Sequence, residues 1–174
     1  MSPSQRATTH DAAAYYFRYI DKAPDGDIVA SMIAQRDEVL ALASRISEEA
    51  SRGRYAPDKW SIRGVLDHCT DTERVFAFRA WWFARGFQSP LASFDQDVAA
   101  SHSGADGREW RSLVTEFRAV RDGTIALFAS LSDDAWNTKG IASDMPVTVR
   151  GLAWIAVGHV EHHLRILRER YGVA

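Results

Sequence analysis

The sequence holds a single cysteine, Cys69. No disulfide can form within the chain, and a lone thiol suits a reducing compartment, so a cytoplasmic location is expected. Long apolar runs are also missing. Charge or glycine interrupts every stretch well before the ~18 residues that a membrane-spanning helix needs, so no membrane partner is expected. Residues 1–10 are polar and lack the apolar segment of a secretory leader. There is no excess of positive charge either: 21 Lys and Arg stand against 23 Asp and Glu, a formal net charge of -2. A nucleic-acid partner is therefore not expected, because phosphate binding needs a concentrated positive surface. No internal repeat, low-complexity tract or domain linker breaks the chain.

What is present suits one globular domain over residues 1–174. Hydrophobic residues make up 46% and charged residues 25%, which is ordinary for a soluble protein. Residues 1–11 read as a loose N-terminal tail, and the aromatic run Tyr15, Tyr16, Phe17 and Tyr19 as an arm lying on the domain. Apolar residues then recur at helical spacing in four blocks. The first covers about 27–51, with Asp27 as its cap and Gly53 beyond its last turn. The second covers about 62–85, capped by Ser61 and stopped by Gly86. The third covers about 108–130. The fourth covers about 149–171, capped by Thr148 and ended by Gly172. Residues 87–107 form the longest irregular segment, and 138–147 read as a second loop. Four amphipathic helices predict an all-α four-helix bundle, and the long second-to-third connection predicts a crossover or a lid.

The chemistry concentrates in Gly158, His159, Val160, Glu161, His162 and His163. His159 and His163 are four residues apart, ~40° of rotation on a helix, so both imidazoles project from one face. That face is mostly apolar: Leu152, Ile155, Ala156, His159, His163, Ile166 and Arg170 share one stripe. Two imidazoles in an apolar seam need a partner. Shared coordination of a metal is one solution, and ordinary hydrogen bonding of two unrelated side chains is the other. His68, beside the apolar face of the second helix, supplies a third candidate ligand. Three imidazoles with open coordination positions suit a catalytic metal site more than a closed structural one. His162 leaves the seam and is expected on a helix flank. Cys69 reads as a small core residue. Asp71 and Thr72 lie one turn beyond His68, as groups supporting the site or as a solvated flank. Asp71 and Glu161 are the candidate acid–base residues, although Glu161 points about 160° away from His163. Arg63, Arg150 and Arg170 are candidates for an anionic substrate, Arg170 reading better as an exposed residue at a helix C-terminus. The six tryptophans read as core or interface residues. Adjacent Trp81 and Trp82 cannot both face one core, and with Phe83 they suggest a dimer interface.

Taken in order along the chain, these residues are familiar. The segment 14–20, the sequence Lys59, Trp60, Ser61, Ile62 and Arg63, and His68 followed by residues 71–74 all contribute. So do residues 94–97 and 147–150, and His159 with Glu161, His162 and His163. Together they resemble the DinB-like, YfiT-like superfamily of bacterial metalloproteins over nearly the full length. The resemblance implies a four-helix bundle with a crossover, usually a homodimer. It also implies one divalent metal, zinc or nickel, on His68, His159 and His163. Characterised relatives include transferases for low-molecular-weight thiols, thiol-dependent isomerases and hydrolases. The expected function is thus a metal-dependent thiol S-transferase or hydrolase acting on a small molecule, with a low-molecular-weight thiol as a candidate cosubstrate. The alternative is a non-catalytic stress-response or ligand-binding protein with a structural metal.

Overall fold

A computed structural model describes residues 4–173. The chain opens with a 3-10 turn, Ala14–Tyr16, and a single helical turn, α1 (Phe17–Ile20). Four long helices follow: α2 (Ile28–Ala43), α3 (Ile62–Ala84), α5 (Trp110–Ala129) and α7 (Val149–Tyr171). Two short ones, α4 (Gln96–His102) and α6 (Asp133–Asn137), lie in the connections. A hairpin of β1 (Lys139–Ala142) and β2 (Met145–Thr148) precedes α7.

The capping residues read from sequence act as expected. The Asp27 side chain accepts from Val29 N and Ala30 N, Ser61 from Gly64 N, and Thr148 from Gly151 N. Each satisfies an amide that the first helical turn leaves without a carbonyl. At the far end of α7, Gly172 takes φ 68°, a left-handed conformation that glycine adopts without strain.

Both α2 and α3 pack against α5 and α7, so α2 lies diagonally across from α3, and α5 across from α7. Residue pairs give the directions. Arg36 meets Asp122 while the Trp110 indole donates to Ala43 O, so α2 and α5 are antiparallel. Gln35 meets Val157 and Glu38 meets Arg168, so α2 and α7 are parallel. Asp67 meets Arg108 and Glu73 meets Arg121, so α3 and α5 are parallel. Trp60 meets Tyr171 while His68 meets His159, so α3 and α7 are antiparallel. The order is up–down–down–up. Residues 85–109 must therefore run back along the bundle to join two parallel neighbours, which is the crossover that their length predicts. Among the described residues no helix is long and apolar enough to cross a membrane.

Four local expectations need correction. The first helix ends at Ala43, not near residue 51. Fully buried Arg63 takes Glu48 O, Glu48 Oε1, Ser51 Oγ and Arg108 O as acceptors, and holds residues 48–51 in a turn that leads into a separate 3-10 helix, Ala50–Arg52. The tail is not loose from residue 4 onward. Arg6 donates to Ile20 O and Ala23 O, Ala7 is buried, and buried Asp11 accepts from Thr8 N and Thr148 Oγ1. Residues 1–3 lie outside the described residues. The segment 138–147 is not a loop but a hairpin, whose turn places Ser143 and Asp144 at φ 53° and 59°. Two such residues in succession are the mark of a type I′ turn, usually written with Asn and Gly. Within 85–109, α4 is capped by Asp95 and packs along α3.

The core falls into two apolar clusters. One contains Met32, Phe76, Phe83, Phe128, Trp136 and Trp154; the other contains Val39, Leu66, Phe117, Val160 and Leu164. Each long helix changes from one cluster to the other at a polar residue: Gln35 in α2, Thr72 and Glu73 in α3, Arg121 and Thr124 in α5, and His159 in α7. A buried polar layer thus crosses the bundle between the two clusters.

Candidate metal centre

His68 on α3 and His159 and His163 on α7 meet at one edge of this layer. The antiparallel packing of α3 on α7 brings residue 68 opposite residues 159 and 163, although 91 positions separate His68 from His159. His159 Nε2 lies 3.1 Å from His68 Nε2 and 3.2 Å from His163 Nε2. One ligand nitrogen from each of the three falls within 4.8 Å of the others. Two imidazoles bound tetrahedrally at ~2.05 Å would place their nitrogens ~3.3 Å apart, so both short separations suit a shared divalent ion. Hydrogen bonding among three rings explains the cluster less well, because each nitrogen carries either a proton or a lone pair.

Electrostatics favour the ligand form. His68 and His159 are 5% and 4% exposed. Burial lowers the His68 pKa to about 4, with a further push from His162. Burial also holds His159 and His163 well below the usual range, and the neighbouring imidazoles add to the effect. All three rings are neutral at pH 7, with lone pairs free for a metal. Thr72 Oγ1 lies 3.4 Å from His68 Nδ1, a contact suited to fixing that ring's orientation. The Trp60 ring lies 4.7 Å from that of His68, and Tyr19 and Phe76 pack edge-on against His159.

The approach of Tyr19 depends on Gly158. A Cβ there would lie 2.0 Å from Tyr19 O, a backbone atom, so only glycine lets the N-terminal arm lie on α7 beside His159. The arm thus has a place in the wall of the site.

The other residues singled out in the sequence lie elsewhere. Asp71 is ion-paired with Arg74 at 2.8 Å, in a surface network with Glu116 and Arg108. Glu161 lies 3.4 Å from Gln35 Nε2, on the side of α7 that faces α2. Among the described residues the group contains three histidines and neither carboxylate. Cys69 is buried in the core, where burial pushes its thiol pKa up. His162 sits on the flank beside Tyr19, as its helical position predicts. Arg63 and Arg150 are not substrate contacts. Both are buried, Arg63 held by the bonds given above and Arg150 by Asn137 Oδ1 and Gln5 O. Arg170 is exposed in the last turn of α7.

Sequence reasoning missed the ion pair of the polar layer. Glu73 and Arg121 are 2% and 0% exposed and lie 2.8 Å apart. Arg121 also donates to Gln35 Oε1, and Gln35 Nε2 donates to Val157 O, two residues before His159. Helical spacing offered a signal, since both charges fall on the apolar faces of their helices. Pairing them required the parallel packing of α3 and α5.

Comparison with known proteins agrees with this fold. The family model of the DinB superfamily matches residues 32–167. Among solved structures, YfiT from Bacillus subtilis is similar with a TM-score of 0.72, over 84% of this chain and 87% of its own, at 13% identity. That protein is described as a probable metal-dependent hydrolase with an unusual four-helix bundle topology. No curated protein sequence matches the chain.

Proposed function

The chain belongs to the DinB superfamily, and from that premise we propose that it is a metal-dependent enzyme of the hydrolase or thiol S-transferase type. In this reading His68, His159 and His163 hold one divalent ion, zinc or nickel, through their Nε2 atoms. The observation that carries it is the convergence of three neutral imidazole nitrogens, two pairs of them 3.1 and 3.2 Å apart. Imidazole donors suit both metals. An ion held by three imidazoles would supply a Lewis acid with open positions for a substrate.

The chain's own residues do the rest. Two regular helices hold the ligands, so the site is rigid. Burial keeps the imidazoles deprotonated, Thr72 orients His68, and Tyr19, Trp60 and Phe76 shield the rings from water. The description of YfiT favours hydrolysis. Thiol transfer would need a low-molecular-weight thiol from solution, because the chain's one thiol is buried in the core. A purely structural metal is disfavoured, since the three ligands sit on two long regular helices rather than on short loops that a metal would have to organise.

Elemental analysis tests the site. Wild type should carry about one ion per chain and the His159→Ala/His163→Ala variant none, and equal content in both would refute it. Circular dichroism after chelation separates a catalytic from a structural ion: helix should persist at 25 °C. Assays of ester and amide hydrolysis, with and without added thiol, then divide the two reaction types.

We also propose that the protein is a homodimer through the end of α3. Trp81, Phe78 and Phe87 are 38%, 49% and 44% exposed and, with half-buried Trp82, form a stacked aromatic patch. Phe83, grouped with them in the sequence reading, instead points inward against Gly140.

A further inference from the structure

His163 lies at the floor of an open cleft of about 290 Å³, close to the lower end of the ~300–1,000 Å³ usual for small-ligand sites. A second pocket touches His163 from the other side, but it is lined by core residues such as Leu66, Leu164 and Phe117 and measures only about 20 Å³. That is room for about one water molecule. The open cleft is therefore the side from which a ligand can meet the histidines.

Four elements build it, α3 contributing Val65. The connector before α3 supplies Tyr55 and Trp60, the end of α7 supplies Ile166 and Tyr171, and α4 supplies Asp97. The aromatic walls are fixed. Tyr171 Oη donates to Trp60 O at 2.6 Å, Tyr55 packs edge-on against Tyr171, and Trp60 rests on His68. The charges are unequal. Lys59, at the rim, is committed to Asp58 at 2.7 Å. Among the described residues the Asp97 carboxylate has no partner. The cleft thus presents aromatic faces and one uncompensated negative charge, and both attract a cation.

We propose that this cleft binds a small molecule with a flat apolar body and a protonated amine, the amine lying toward Asp97 and the aromatic walls. The opposite end of the ligand would reach His163, and that clause alone rests on the metal-dependent reading above. A carboxylate-ended molecule of the same shape is disfavoured.

The test uses two probes of nearly equal shape, phenethylammonium and 3-phenylpropionate. Each is titrated into ¹⁵N-labelled full-length protein, metal-loaded and chelated, while the Trp60 indole and Asp97 amide signals are followed. In the chelated protein, where no metal can take up the carboxylate, the ammonium should bind about two- to fivefold more tightly, the scale of one solvent-exposed ion pair. The preference should vanish in Asp97→Asn, and both probes should weaken in Ile166→Trp, which fills the cleft. In the chelated protein, equal affinities, a preference for the carboxylate, a preference unchanged in Asp97→Asn, or no binding of either probe would each overturn the proposal. Metal content of the same samples keeps the two readings apart. Ammonium preference in protein whose metal ignores the histidines leaves the cleft standing and removes the metal site. Normal metal loading without the preference does the reverse.

Discussion

Acidifying the metal-free protein should destabilise it through the three histidines, and His68 gives the magnitude. Its pKa is about 4 in the folded chain against 6.5 for the free side chain. Between these values the unfolded chain binds a proton that the folded chain refuses, so the stability is present above pH 6.5 and is lost as pH falls toward 4. A tenfold difference in proton affinity between the two states is worth about 1.36 kcal/mol. His68 alone should therefore cost about 2 kcal/mol at pH 5, and about 3.4 kcal/mol once pH falls below 4. His159 and His163 are displaced in the same direction and add to the loss. Asp67 and Glu73 are raised by burial and act oppositely in acid, so the wild-type profile alone mixes two signs. The clean measurement is a difference. Urea unfolding with a chelator present, at pH 7.5, 6.5, 5.5 and 5.0, should show wild type losing about 2 kcal/mol more than His68→Asn. Parallel profiles for the two proteins would refute the reasoning, because they would mean that the His68 imidazole takes its proton as readily in the folded chain as in the unfolded one.

Other changes probe the packing. Gly158→Ala should cost about 1–3 kcal/mol in urea unfolding, since its Cβ meets backbone rather than a side chain that can move. Gly123→Ala, on α5 with nothing within 4 Å of its Cβ, should instead stabilise by about 0.5–1 kcal/mol, and similar effects at the two sites would contradict the account. Arg121→Met should cost about 3–5 kcal/mol by leaving Glu73 buried and unpaired, and Glu73→Leu/Arg121→Met should recover most of it. No recovery in a denaturation series would show that the pair is needed for more than charge balance. Sedimentation equilibrium should return a dimer for wild type and a monomer for Trp81→Ser/Phe87→Ser, and a monomeric wild type at micromolar concentration would remove the proposed interface.

The four helices, their capping residues and the crossover were legible because each has a local cause. An apolar stripe every three to four residues, a side-chain oxygen before the first turn and a glycine after the last act within about one turn of the chain. His159 and His163 were legible for the same reason, since four residues on one helix fix their common face. His68 was nominated by the apolar face beside it and by family resemblance. Its 3.1 Å approach to His159 exists only because α3 runs antiparallel along α7. Where the sequence reading failed, a distant residue overrode local preference. Arg63 holds residues 48–51 out of the first helix, and Arg6 and Asp11 fasten the supposed tail to α1 and α7. The left-handed turn at Ser143 and Asp144 carries no glycine to announce it. Glu73 and Arg121 lie on different helices, and neither residue type belongs in a core unless the other is there. Local patterning sets which face of a helix is apolar, but a buried charge is tolerated only when packing delivers its partner. The polar layer, the histidine cluster and the cleft above it were therefore decided by how the four helices are stacked.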